Sequence, residues 1–418
     1  MRMAQAVPAL MGLAVLAACS KAGGGARWSG TVTDSAGVQV VHNPAEGTWR
    51  PEDQWSVVEA LRIGAAEGEP EYQFGMLGSM TVTRDGRIVA ADVQAQHLKV
   101  FSPTGTYERT IGKPGSGPGE LALGIAAVSI GTGDTLLVAD WGNQRVNAYL
   151  LDGTFVSSAR IDIQQGLPLR WEGTKDGRMA VQLRQVQFPN MPAPKDSSDA
   201  IVVRRTDGSI TDTLLKVPSG KTFDLGGQRP QVKLFSVEPA WAMYGDDGVI
   251  YGVSHTYRFG MYAAGGSLRR LIEKPFTPTD ITQADQDQMM TALEKMWKQF
   301  GLTQEQVAGA KQVIAFADRY PAYFQLLEGT DGSVWVQRIQ SPSDLPPELQ
   351  ESYNPGLDMG SAAWDVFDAE GRYLGVVTMP VRFQPVRFVG DRIYGIQRDE
   401  LDVQYIVVLN VVKGGTAP

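Results

Sequence analysis

The side chains that could carry chemistry in this 418-residue chain are few and widely spaced. It has three histidines, His42, His97 and His255, and one cysteine, Cys19. A zinc centre of the three-histidine type is not expected, because His42 precedes the patterned part of the chain. No Gly-x-Ser-x-Gly elbow occurs, and no nucleophile, histidine and acid form a coherent set. What remains is acidic, basic and aromatic. Asp92 and Asp140, with backbone carbonyls, offer the oxygen ligands a Ca²⁺ or another divalent ion would take. Arg145, Arg184, Arg258, Arg338 and Arg398 could pair bidentately with a carboxylate or phosphate. Trp141 could stack on a sugar or ligand ring. Each has a plainer role as well. Asp140 and Arg145 flank a tight loop and can pair with each other, and Trp141 can pack on a neighbouring loop.

The stretch IGKPGSGPGEL, residues 111–121, also invites a chemical reading. A phosphate-binding loop needs Lys followed by Ser or Thr, then a helix aimed at the phosphate. Here Lys113 precedes Pro114, and strand-like runs lie on both sides. The glycines and prolines therefore shape a connection.

What that stretch connects is a repeat. Residues 79–112 and 124–161 share one plan: strand, tight turn, strand ending in Ala-Asp, short loop, strand, Gly turn, strand. Asp92 matches Asp140, His97 matches Arg145, and Gly105 matches Gly153. Weaker copies follow at 169–217, 240–274, 323–379 and 383–412. Each alternates apolar and polar residues in short runs, punctuated by Asp-Gly or Gly-Asp pairs. The last copy has three strands, and WSVVEALRI at 55–63 is a strand without a unit that can complete it. The expected fold is all-β, a six-bladed β-propeller of four-stranded blades with N-terminal strand closure.

The second unit, GKPGSGPGEL followed by LLVADWGNQRVNAYLLDGTFV, resembles an NHL-type propeller repeat. Residues 4–18, AQAVPALMGLAVLAA, read as the apolar part of a signal peptide, and Leu16-Ala17-Ala18-Cys19 resembles the lipobox of bacterial lipoproteins. In that family the cysteine is lipidated and becomes the new N-terminus. The whole chain is similar to six-bladed propeller lipoproteins of Gram-negative bacteria. That resemblance, with Ser20 after the cysteine, implies an outer-membrane lipoprotein facing the periplasm or the cell surface. The expected organisation is a signal peptide at 1–19, a tether and extension at 20–54, the propeller at 55–413 and a tail at 414–418.

Long segments break the repeat at 185–198, 218–239, 275–320 and 341–360. In a propeller, links between strands two and three and from blade to blade share one face, here called the top, and all four segments map there. Such a face is usually the working surface. Residues 275–320 form a helical insertion between blades four and five. Met289, Leu293, Met296, Trp297 and Phe300 make one stripe, Gly301 suits a C-terminal cap, and Thr303 with Gln306 suits a capping box. Val307, Ala310, Ile314 and Ala317 extend the second helix. This insertion is packing, a lid or a partner site.

The net charge of −8 disfavours nucleic-acid binding. Two functional classes stay open. One is a lipid-anchored binding or scaffolding module whose top face holds a protein, peptide or small anionic ligand, with no cofactor; scarce histidine favours it. The other is a propeller enzyme, a metal-assisted lyase or lactonase-like hydrolase, with its site at the channel mouth. Candidate binding residues at that mouth are Asp92, His97, Asp140, Trp141, Arg145, Arg184, His255, Arg258, Arg338 and Arg398.

Overall fold

Short alternating runs separated by glycine turns form antiparallel meanders, because successive side chains point to opposite faces and each turn reverses the chain. The computed structural model describes residues 28–188, 198–205, 207–218, 223–224, 232–299, 301–350, 352–355 and 357–414. Six meanders radiate from a central channel. Blade one is Leu77–Val82, Ile88–Asp92, His97–Phe101 and Tyr107–Ile111, and blade two is Ile125–Ile130, Leu136–Asp140, Arg145–Tyr149 and Phe155–Arg160. Blade three is Leu167–Gly173, Met179–Arg184, Ser198–Arg204 and Ile210–Pro218. Blade four is Pro239–Tyr244, Gly248–Val253, Arg258–Tyr262 and Leu268–Glu273. Blade five is Gln325–Glu328, Val334–Ile339, Gly360–Phe367 and Tyr373–Thr378. Blade six takes Phe383–Val389, Arg392–Arg398 and Gln404–Val412 from the C-terminus and Ser56–Ile63 from the N-terminus. The closing strand runs antiparallel to Gln404–Val412, with Val57 opposite Val411 and Ile63 opposite Ile406. The ring therefore has no open seam.

The core lies between blades. Trp241 is wholly buried against blade three, and Trp335 and Trp364 against blade six. At roughly 25 cal/mol per Å² of apolar area, each contributes several kcal/mol. The first strands of all six blades line the channel through Ser79, Ala127, Gly173, Ala242, Leu327 and Arg387.

The extension ahead of the closing strand is more than a tether. Thr31–Ser35 and Val38–His42 form a hairpin whose second strand pairs parallel with Leu268–Glu273, making blade four six-stranded. Asn43 fastens it to blade five: its amide donates to Gly371 O at 3.0 Å, and its carbonyl accepts from Tyr373 N at 2.7 Å.

The insertion between blades four and five contains α1, Gln283–Gln299, and α2, Gln304–Lys311. Gly301 at φ +80° turns the chain between them, and Thr303 and Gln306 form a reciprocal capping box. The second helix is shorter than the apolar spacing suggested. Ile314 lies in a strand, Ile314–Phe316, which pairs parallel with Val232–Leu234, and Ala317 follows it. β-branched Val313 and Ile314 suit an extended chain, and the 232–234 edge offers them a partner. On α1, Met289 and Leu293 are buried against Phe235, Tyr320 and Tyr353, with Met296 and Trp297 at the margin. Phe300 lies outside the described residues, as do residues 1–27, which hold Cys19, and most of the top segments 185–198 and 218–239.

Candidate functional site

The two matching aspartates serve the backbone. Asp92 accepts from Gly75 N, Met76 N and Ala95 N at 2.9–3.1 Å. Asp140 accepts from Ala122 N, Asn143 N and Asn143 Nδ2. Each closes the loop after its own strand and ties down the link from the preceding blade. Both are buried, and they stand on different blades. Among the described residues no three His, Cys, Asp or Glu side chains group closely enough to hold a metal ion.

The arginines do not converge. Arg145 lies 3.5 Å from Asp140 and donates to Ser116 O, Gly117 O and Glu120 O, so it shapes the glycine-rich connection of residues 111–121. Arg184 makes a bidentate pair with Asp199 and reaches Glu238 at 3.1 Å. Arg258 pairs with Glu273 at 2.8 Å, and Arg398 pairs with Asp358 and Asp402. His97 stands opposite Asp92 in the ladder, and burial pushes its imidazole down, toward the neutral form. His255 is exposed on the blade-four loop, and Trp141 is half-buried against the blade-two core. A ring of spokes, each arginine meeting acceptors on or near its own blade, replaces the expected basic mouth.

Arg338 is the exception, because its carboxylate is shared. Asp365, wholly buried on the third strand of blade five, accepts from Arg338 Nε and Nη2 at 3.1 and 2.7 Å. It also accepts from Lys274 Nζ at 3.1 Å, Tyr257 Oη at 2.6 Å and Tyr373 Oη at 2.8 Å. Lys274 comes from the end of blade four, and its ammonium sits 4.9 Å from the Tyr257 ring centroid and 4.3 Å from that of Tyr373. Burial alone would raise the Asp365 carboxyl, but Arg338 and Lys274 more than reverse this and hold it below its usual value. Burial pushes the Lys274 ammonium down against the pull of Asp365. Burial and the adjacent carboxylate push both tyrosine hydroxyls up, so they stay protonated donors.

These groups form one wall of a cleft of about 340 Å³ between blades four and five. Phe276, Tyr320 and Ser341 line its other sides, under the insertion. Lys274 and Arg338 share Asp365, and Asp344 on another side of the cleft brings the lining to two cations and two carboxylates. Arg338 is 42% exposed at its side chain, so it presents the edge of its guanidinium to the cleft. Sequence reasoning found Arg338 but not Lys274, Asp365, Tyr257 or Tyr373. The nearest signal was the polar character of Asp365 within the apolar strand AAWDVF.

A second, more apolar cavity of about 280 Å³ lies beside it, lined by Phe235, Met289, Tyr323 and Phe324 among others. The segment from 275 to 320 forms part of the lining of both cavities.

The chain is a six-bladed β-propeller, and residues 68–175 match the sequence profile of DUF5128, a 6-bladed beta-propeller family. No curated protein sequence matches it. Among solved structures, a Bacteroides fragilis protein described as exported superposes with a TM-score of 0.52 at 12% identity, covering 90% of this chain and 100% of its own. A DUF4221-family protein from Bacteroides vulgatus gives 0.51 at 12% identity, covering 87% and 100%. Virginiamycin B lyase from Staphylococcus aureus gives 0.43 at 10% identity, covering 86% and 100%. Likeness at this level of identity describes the fold alone.

Proposed function

We propose that this propeller is a lipid-anchored, exported binding module that captures a small carboxylate-bearing ligand in the top-face cleft between blades four and five. The observation that carries this reading is Asp365 shared by Arg338 and Lys274 on the wall of an open cleft. A carboxylate entering there would meet the exposed edge of the Arg338 guanidinium, with Tyr320 and Ser341 nearby as hydroxyl donors. Export agrees with the leader-like residues 4–18 and the lipobox-like run ending at Cys19, and with the description of the B. fragilis neighbour.

The test is thermal unfolding of the protein against a panel of mono- and dicarboxylates, repeated with Arg338→Ala and Lys274→Met. The reading expects a stabilising carboxylate whose effect drops at least tenfold in apparent affinity in Arg338→Ala. It fails if no carboxylate stabilises the protein, or if Arg338→Ala leaves the response unchanged.

A further inference from the structure

The central channel carries a separate cationic feature, at the end opposite the insertions. Arg387, on the first strand of blade six, lines two adjoining cavities of about 150 Å³ each. Its Nη1 donates to Thr81 Oγ1 at 2.9 Å, while its Nε is buried and meets no acceptor among the described residues. A guanidinium has five donors, and leaving a buried one unmet is costly. Burial with little compensating negative charge pushes Arg387 below its ordinary value, with Glu172 a weak opposing influence.

The carboxylates near the channel are turned to other partners. Glu172 accepts from Arg170 at 2.7 Å and from Met243 N at 2.8 Å. Glu328 accepts from Gly245 N at 2.9 Å. Lys175 lies 3.7 Å from exposed Asp246 and 3.9 Å from Glu328, beyond hydrogen-bonding distance of both. The cavity nearer the channel end is lined by Arg84, Lys175 and Arg387 and by no carboxylate. Three blades thus supply three cations to one small space that opens to solvent.

We propose that this end of the channel binds a free tetrahedral oxyanion, phosphate or sulfate, held by Arg387 with Lys175 and Arg84. Arg387 supplies the buried, directional donors, and the two flexible cations close over the outer oxygens. The small volume selects a free ion over an organic ester. This site lies across the channel from the cleft at Asp365 and does not depend on it.

The test is isothermal calorimetry of the full chain in detergent with sodium phosphate and sodium sulfate at low ionic strength. One ion should bind per chain. Arg387→Met should weaken it at least tenfold, Arg387→Lys should weaken it less, and Lys274→Met should leave it unchanged. If Arg387→Met does not fold, exposed Arg84→Ala decides, with an expected loss of threefold or more. Absence of phosphate and sulfate binding overturns the proposal, as does unchanged affinity in these channel variants. Loss in Lys274→Met with retention in Arg387→Met would move the ion to the cleft and overturn it too. Tighter binding of glycerol phosphate than of phosphate would overturn the choice of a free ion.

Discussion

Lys274 Nζ lies 3.1 Å from Asp365 Oδ2, and the same ammonium stands between the rings of Tyr257 and Tyr373. One residue ends blade four and the other sits in the middle of blade five. The pair is therefore a joint between blades as well as a wall of the cleft. Its two members should respond differently to removal. Asp365→Asn strands the Lys274 ammonium, 9% exposed, in a poorly solvated place, at about 3 kcal/mol, while the half-exposed Arg338 can turn to water. Lys274→Met leaves Asp365 still paired with Arg338 and keeps apolar contact with both rings, so its cost should be well below that. Denaturant midpoints of the two variants check the order.

Acid should loosen the insertion before the propeller. Asp285, near the start of α1, is buried, which favours the neutral acid, but Ser341, Ser343 and Thr282 donate to its carboxylate and bring it down to about 2. The folded value lies below the unfolded one of 3.8, so the unfolded chain takes up the proton first. The stabilisation is complete above about pH 4 and is lost as pH falls toward about 2. Limited proteolysis across that range should cut between residues 275 and 320 first. Ser341→Ala should move the onset of cutting to higher pH.

Arg145 should be indispensable to the glycine-rich connection. It donates to three carbonyl oxygens there, at 2.7–3.1 Å. Arg145→Ala should cost about 2–3 kcal/mol and raise amide exchange in residues 113–121. Lysine should rescue only part of this, because an ammonium lacks the fork that reaches several oxygens at once.

Closure and ornament can be separated by deletion. Removing 56–63 strips blade six of its outer strand and exposes the edge of Gln404–Val412, so aggregation on gel filtration is expected. Removing 28–45 uncovers blade four but leaves all six meanders complete. That protein should stay monodisperse with a lower melting temperature.

The leader reading also has a direct check. Cys19→Ser should abolish incorporation of labelled palmitate and release the protein from the membrane fraction. Persistent membrane association would point to another anchor.

Much of the architecture was legible because its signals are local. Alternation within strands, Asp-Gly turns, and the repeated Ala-Asp ending at Asp92 and Asp140 each operate over a few residues. The capping box at Thr303 and the turn at Gly301 were legible for the same reason. The end of α2 was misread because the apolar spacing through Ile314 and Ala317 fits a helix, while the competing partner, Val232–Leu234, lies about 80 residues upstream. The hairpin at 31–42 has a local signature, VTDSAGVQVVH, but its docking on blade four does not.

By itself, the sequence determined the repeat, the number of blades, the closing strand and the face that bears the long connections. Short-range periodicity and turn chemistry encode all four. Only the tertiary structure decided which charges meet. It paired each candidate arginine with acceptors on or near its own blade, and it brought Lys274, Arg338 and Asp365 together. Asp365 is 91 residues from Lys274 and 108 from Tyr257. Such contacts depend on how neighbouring blades stack, and no local pattern records which buried carboxylate faces which cation across that seam.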